Sequence, residues 1–234
     1  MYNRRLIETV DPPLRPGDRG YAGPVPHEDV RASARADDDR LIEVARSAFR
    51  ADPAARWIYP EGERYDAHFP EFVKAFGGRA LTCGTAHVVG DFAGASFWLP
   101  PGVHRDDNAV IAHIRRSAPQ HIHAPLFALV EQLDRRRPAV PHWHLALLGI
   151  DPFHRRKGHG AKLVKHCLKI CDEDGFPAYL EAWNAESVGF CQRLGFEVLA
   201  TVQSGSSPAV AAMLRQPLTG FKNLIPEGLI DLKP

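Results

Sequence analysis

The sequence has no apolar run approaching the roughly 18 residues that a membrane span requires. Its first residues, "MYNRRLIETVDPPLRPGDRG", lack the apolar central region of a secretory signal. The expectation is a soluble, cytoplasmic protein with no membrane partner. Cysteine is scarce: Cys83, Cys167, Cys171 and Cys191 form neither a disulfide framework nor a CxxC pair, so reduced thiols are expected. Excess charge of either sign is absent as well. Lys+Arg 29 against Asp+Glu 28 gives a net charge of +1, which removes any overall bias toward polyanions, and no nucleic-acid partner is expected. No internal repeat is visible. The histidine pairs His142 with His144 and His121 with His123 have no third carboxylate or thiol at matching spacing, so no metal site is expected.

What is present is a chain of 234 residues, 44% hydrophobic and 24% charged, enough for one globular domain with extensions or two small ones. Residues 1–26, rich in Pro, Gly and Arg, read as an extended arm, 27–218 as the folded domain and 219–234 as a tail. "DVRASARADD" alternates weakly, as a short first strand would. Asp37, Asp38 or Asp39 can cap the helix that follows, whose apolar face is Leu41, Ile42, Val44, Ala45, Ala48 and Phe49 and which ends near Asp52-Pro53. A second helix carries Phe69, Phe72, Val73 and Phe76 and closes at Gly77-Gly78; "TAHVVG" and "GASFWLPPG" then read as a hairpin. Residues 104–137 are helical, with breaks at Pro119 and Pro125.

From His142 the pattern sharpens. "HWHLALLGI" is a continuous apolar strand ending at Asp151-Pro152, and Leu163, Val164, Cys167, Leu168 and Cys171 mark the buried stripe of a helix that Gly175 stops. "PAYLEA" is a short strand, "AESVGFCQRL" a short helix capped by Gly195, and "FEVLATV" and "PAVAAMLRQ" are strands. This order predicts an α/β fold with a mixed sheet and crossover helices. Between the apolar strand and its helix lies "HRRKGHG", residues 154–160. Glycines there permit unusual dihedrals and close backbone approach, and the positive end of the helix dipole falls in the same place, so the turn is suited to an anion. Its spacing satisfies neither G-x-x-x-x-G-K-[ST] nor G-x-G-x-x-G.

The turn matches [QR]-x-x-G-x-[GA] as Arg155-Arg156-Lys157-Gly158-His159-Gly160, and so resembles the pyrophosphate-binding turn of the GNAT superfamily of acetyl-CoA-dependent N-acetyltransferases. "LALLGIDPFHRRKGHGAKLV" and "YLEAWNAESVGFCQRLGFEV" resemble the strand, turn and helix units of that superfamily. "AFRADPAARWIYP", "FWLPPG" and "AAMLR" are similar to its puromycin N-acetyltransferase-like branch. The resemblance implies the GNAT fold, with splayed central strands and flanking helices.

It also implies acetyl-CoA as cosubstrate, with Leu148, Gly149 and Ile150 along the pantetheine arm and the amides of Arg155, Arg156, Lys157, Gly158, His159 and Gly160 on the pyrophosphate. Asn184 would border the cofactor, or serve as the cap of its own helix. An amine would attack the thioester directly in a ternary complex, with the Leu148 amide on the oxyanion. Glu181 or His144 is the candidate base, and each has a plain alternative, a half-buried carboxylate tied to an arginine and an ordinary strand histidine. Cys191 stands where the superfamily usually has a tyrosine that reprotonates the thiolate; it is a substitute acid or a small buried residue with water in that role. The branch resemblance implies a small-molecule amine acceptor, handled by a monomer or homodimer. A protein or peptide amine, an alcohol, or acyl-CoA binding without efficient turnover are the alternatives.

Overall fold

Burial of one face of each helix against a single sheet organises residues 30–218, which are the residues that the structure, a computed structural model, describes. The arm at 1–26 and the tail at 219–234 lie outside the described residues. A short strand, β1 (Val30–Ala32), leads to α1 (Asp38–Phe49), whose buried side chains are Leu41, Ile42, Val44, Ala45 and Ala48, as the spacing predicts. Asp37 occupies the N-cap position, but its carboxylate turns back to accept from the Ala34 amide at 2.9 Å and from Arg31 Nη1 at 2.7 Å. A helix that sequence reasoning left out, α2 (Pro53–Ile58), starts at Asp52, whose Oδ1 accepts from the Ala54 and Ala55 amides at 2.9 and 3.1 Å. An acceptor at N-cap followed by proline at the first helical position suffices to start a helix too short to show periodicity.

Next come α3 (Gly62–Gly77), α4 (Arg79–Cys83), and the antiparallel pair β2 (Ala86–Val89) and β3 (Gly94–Leu99). Residues 104–137 form α5 (Asp107–Ser117) and α6 (Gln120–Asp134). Pro119 separates them as expected, but Pro125 does not break α6. Proline there removes one backbone bond, and burial of Ile122, Leu126, Leu129 and Leu133 along the same helix outweighs that loss.

Then follow β4 (Trp143–Ile150), α7 (His159–Asp174), β5 (Ala178–Ala182), α8 (Ala185–Gln192), β6 (Glu197–Val202) and β7 (Val210–Arg215). The strands form one mixed sheet in the order β1-β2-β3-β4-β5-β7-β6, in which only β4 and β5 are parallel. Helix α8 stops at Gln192, with Arg193 as its C-cap rather than Gly195, which follows with a φ of +89°. Among the described residues no helix is long and apolar enough to cross a membrane.

Two irregularities in β4 position everything functional. Against β3 its register passes from Phe97↔Leu147 to Trp98↔Leu145, skipping Ala146. This bulge reverses the alternation of side chains. Leu145 therefore packs in the core under α7 with Trp98, Val164 and Leu168, whereas Leu147 packs with Phe97, Leu99 and the residues of α1 and α3. Against β5, pairing covers only Trp143↔Ala178, His144↔Tyr179 and Leu145↔Leu180. Beyond these pairs the two parallel strands part, and the sheet is split at its centre.

Candidate functional site

Two cavities adjoin at that split. The larger, about 740 Å³, lies between the C-terminal end of β4, the end of α1, the 154–160 turn and α8. Its floor carries two positive φ values, +63° at Arg156 and +82° at Gly158, before α7 begins at His159. A helix directs the amides of its first turn outward past its start, and His159, Gly160 and Ala161 line this cavity. The result is a concave run of backbone donors at the positive end of α7. A Cβ on Gly158 would meet nothing within 4 Å, and one on Gly160 would stand 3.5 Å from Phe190 and 3.6 Å from Ile150. The space above the turn is therefore open to a bulky anion.

The other expected residues of the turn have separate tasks. Arg155 donates from Nη2 to the Ala48 carbonyl at 2.6 Å, which secures the last turn of α1 against the loop. Arg156 and Lys157 are exposed at the rim. Gly149 is present because α1 crosses β4 there: its Cβ would stand 2.9 Å from Ala48 Cβ and 3.4 Å from Ala45 Cα. Leu148 and Ile150 face the cavity.

The second cavity, about 230 Å³, is bordered by α2, α3, α5 and α6 over the parted ends of β4 and β5. Its wall is aromatic, with Phe69, Phe72, Phe76, Phe127 and Trp183, while Arg105, Asp107, Asp134 and Glu181 supply charge. Phe49, Asp52, Leu148, Asn184, Ser187 and Phe190 line both cavities and so mark their junction.

Glu181 sits in the charged part of this second cavity with its side chain 3% exposed, 3.5 Å from Arg105 and 3.6 Å from Arg137, and it accepts from the Tyr179 hydroxyl at 3.3 Å. Burial by itself pushes its pKa up, but the Arg105 guanidinium, with His144, Arg137 and the Tyr179 hydroxyl, prevails and holds the carboxyl below its ordinary value. His144 lines neither cavity; its ring packs on Tyr179 at 5.4 Å, and burial pushes its pKa down to about 3, so the imidazole is neutral. His142 packs on the same ring, also at 5.4 Å. Cys191 lines the aromatic cavity and is buried among residues of α7 and β5, and burial raises its pKa to about 11.

Asn184 is the N-cap of α8, accepting from the Ser187 amide at 2.8 Å, and its Nδ2 donates to Asp52 Oδ2 at 3.3 Å. The caps of α2 and α8 are thus tied to each other across the split. Sequence reasoning missed Asp52, Ser187 and Arg105. For Asp52 a signal existed, the Asp-Pro pair that begins α2. Arg105 has none, because its partners lie in α5, α6 and β5.

Among the described residues the sheet is thus parted at its one parallel pair, with the backbone amides of the 154–160 turn on one side and an aromatic chamber on the other. The family model described as Acetyltransferase (GNAT) family matches residues 56–196, more than half of the chain, and the chain belongs to that family. It is 26% identical over 159 residues to an uncharacterized N-acetyltransferase of Schizosaccharomyces pombe, a match covering 57% of this chain and 60% of that protein, so the chain spans less than two thirds of that relative. Among solved structures, the fold is similar to a histone acetyltransferase HPA2-related acetyltransferase from Corynebacterium glutamicum, with a TM-score of 0.58, 23% identity and coverage of 81% and 96% of the two chains. It is also similar to arylalkylamine N-acetyltransferase 2 from Aedes aegypti, with a TM-score of 0.58, 15% identity and coverage of 80% and 97%.

Proposed function

We propose that the protein transfers the acetyl group of acetyl-CoA to the amine of a small acceptor with an apolar, preferably aromatic, body. The observation that carries this reading is the junction of the two cavities, because a thioester reaching from the cradle ends where the aromatic chamber begins. In this reading the amides of 155–160 hold the pyrophosphate, Arg156 and Lys157 attract it, and the parted edge of β4 at Leu148, Gly149 and Ile150 pairs with the pantetheine arm. The Leu148 amide then serves the oxyanion as a fixed backbone donor. Asn184 orients the junction through its two hydrogen bonds.

The chamber wall of phenylalanines and Trp183 favours an aryl or alkyl body over a peptide backbone, whose polar groups would lack partners there. This is the class of acceptor that the puromycin-like resemblance implies. The carboxylates of Asp107 and Asp134 favour a cationic amine on approach. Glu181, held between Arg105 and Arg137, supports the chamber floor and its charge balance, and His144 packs on Tyr179 as a neutral ring.

The test is release of CoA thiol from acetyl-CoA with 2-phenylethylamine, benzylamine, hexylamine and a short peptide with a free N-terminus as acceptors. The arylalkyl and alkyl amines are expected to stimulate release and the peptide to do so least. Preference for the peptide would overturn the acceptor class. Tight acetyl-CoA binding without release by any amine would make the protein an acyl-CoA-binding module.

A further inference from the structure

Asp52 is the one carboxylate, among the described residues, that lines both the cradle and the aromatic chamber. It belongs to the "AFRADPAARWIYP" stretch, of which Ala54, Ala55 and Ile58 also line the chamber. Its two oxygens are used unequally. Oδ1 accepts from the Ala54 and Ala55 amides, while Oδ2 accepts from Asn184 Nδ2 at 3.3 Å. A carboxylate oxygen has two acceptor sites, so Oδ2 keeps one for a further donor. The Asn184 side chain is itself held by the Ser187 amide, so Asp52 is oriented by two helix starts at once.

We infer that Asp52 is the catalytic base, taking the proton from the acceptor amine at Oδ2, with Asn184 as its positioning residue. The inference rests on the acetyl-transfer reading. The amine lone pair forms the C–N bond to the thioester carbonyl carbon as the carbonyl pair moves onto oxygen. The nitrogen proton passes to Oδ2, the oxygen pair returns, and the C–S bond breaks. The departing sulfur keeps that pair and takes one proton, delivered from Asp52 or through water, which leaves the amide, CoA thiol and the carboxylate. Glu181 is less suited to the step, since its oxygens are engaged by two guanidiniums and a phenol in the charged part of the chamber. His144 lines neither cavity.

Asn caps a helix as well as Asp does, so Asp52→Asn keeps the acceptor for the Ala54 and Ala55 amides and removes the basic site together with the acceptor of the Asn184 Nδ2 hydrogen bond. The experiment measures kcat with the fastest amine among 2-phenylethylamine, benzylamine and hexylamine, and acetyl-CoA affinity by calorimetry. For Asp52→Asn, kcat is expected to fall by roughly 100-fold or more while acetyl-CoA affinity stays within about threefold of native. In Asp52→Ala protein that still binds acetyl-CoA, added formate is expected to restore part of the rate, which a residue acting only as a cap would not allow. A kcat for Asp52→Asn within about threefold of native, a parallel loss of kcat and acetyl-CoA affinity, or a rate indifferent to formate overturns the assignment of Asp52. If the native protein shows no amine-dependent release, the acetyl-transfer reading itself falls, and the role of Asp52 with it.

Discussion

Replacing Arg105 with methionine removes a guanidinium, 2% exposed, that joins Asp107, Asp134 and Glu181. The three contacts are unequal. The carboxylates of Asp107 and Asp134 are 46% and 40% exposed, and pairs so wet contribute little, about 0–1 kcal/mol each. Glu181 is 3% exposed and cannot be rehydrated without opening the chamber. Stranding a buried charge by removing its partner is destabilising by about 3–5 kcal/mol. Because Arg137 still stands 3.6 Å away, the lower end of that range, about 3 kcal/mol, is expected for Arg105→Met. The loss should depend on pH with a definite sign. In the native protein the pKa of Glu181 is lowered by folding, so its contribution is present above the unfolded carboxylate value and is lost as pH falls. Without Arg105, burial dominates and the folded pKa rises, so the penalty is full near neutrality and fades on acidification. Urea unfolding from about pH 7 to about pH 4.5 should show the gap between native and variant narrowing. Adding Glu181→Gln should return at least about 1 kcal/mol, since it removes the stranded charge. A loss below about 1 kcal/mol, or one that pH does not change, would refute the reasoning.

Three other expectations follow from close approaches and burial. Gly149→Ala places a Cβ 2.9 Å from that of Ala48, forcing α1 off β4, and thermal unfolding should register a loss of about 1–3 kcal/mol. Gly160→Ala meets only ordinary contacts at 3.5 and 3.6 Å, so it should unfold near the native temperature; calorimetry should nevertheless show weaker acetyl-CoA binding than for Arg156→Ala, whose side chain is at the rim. Iodoacetamide at about pH 8 should label Cys83 first, by peptide mapping, because Cys83 is exposed while burial raises the thiol pKa to about 12 at Cys167 and about 11 at Cys191.

Much of the architecture was legible because its signals are local and repeated. The apolar stripe of α7 and the continuous run of β4 each span several residues of one periodicity, and the glycines between them mark the turn, with its positive φ at Gly158, without any knowledge of tertiary structure. The bulge at Ala146 was not legible. "LALL" reads equally apolar on both faces, so a skipped residue leaves no trace in hydrophobicity although it sends Leu145 and Leu147 to opposite sides of the sheet. Helix α2 was lost because six residues are too few for a period, and the network around Arg105 because it joins three segments distant in sequence, at 105–107, 134 and 181. The expected break at Pro125 failed for a related reason, since the burial that carries α6 through it is tertiary.

The position of Cys191 shows what such distance conceals. Along the chain it stands where a long acid would be expected, but its thiol lies among α7 and β5 side chains and lines the chamber alone. One helical turn earlier, Ser187 lies on the same face of α8 and lines both cavities, its amide held by the cap that also holds Asp52. The polar groups at the junction therefore come from the starts of α2 and α8, positions set by backbone amides needing acceptors, rather than from the helix interior where the alignment of motifs directs attention.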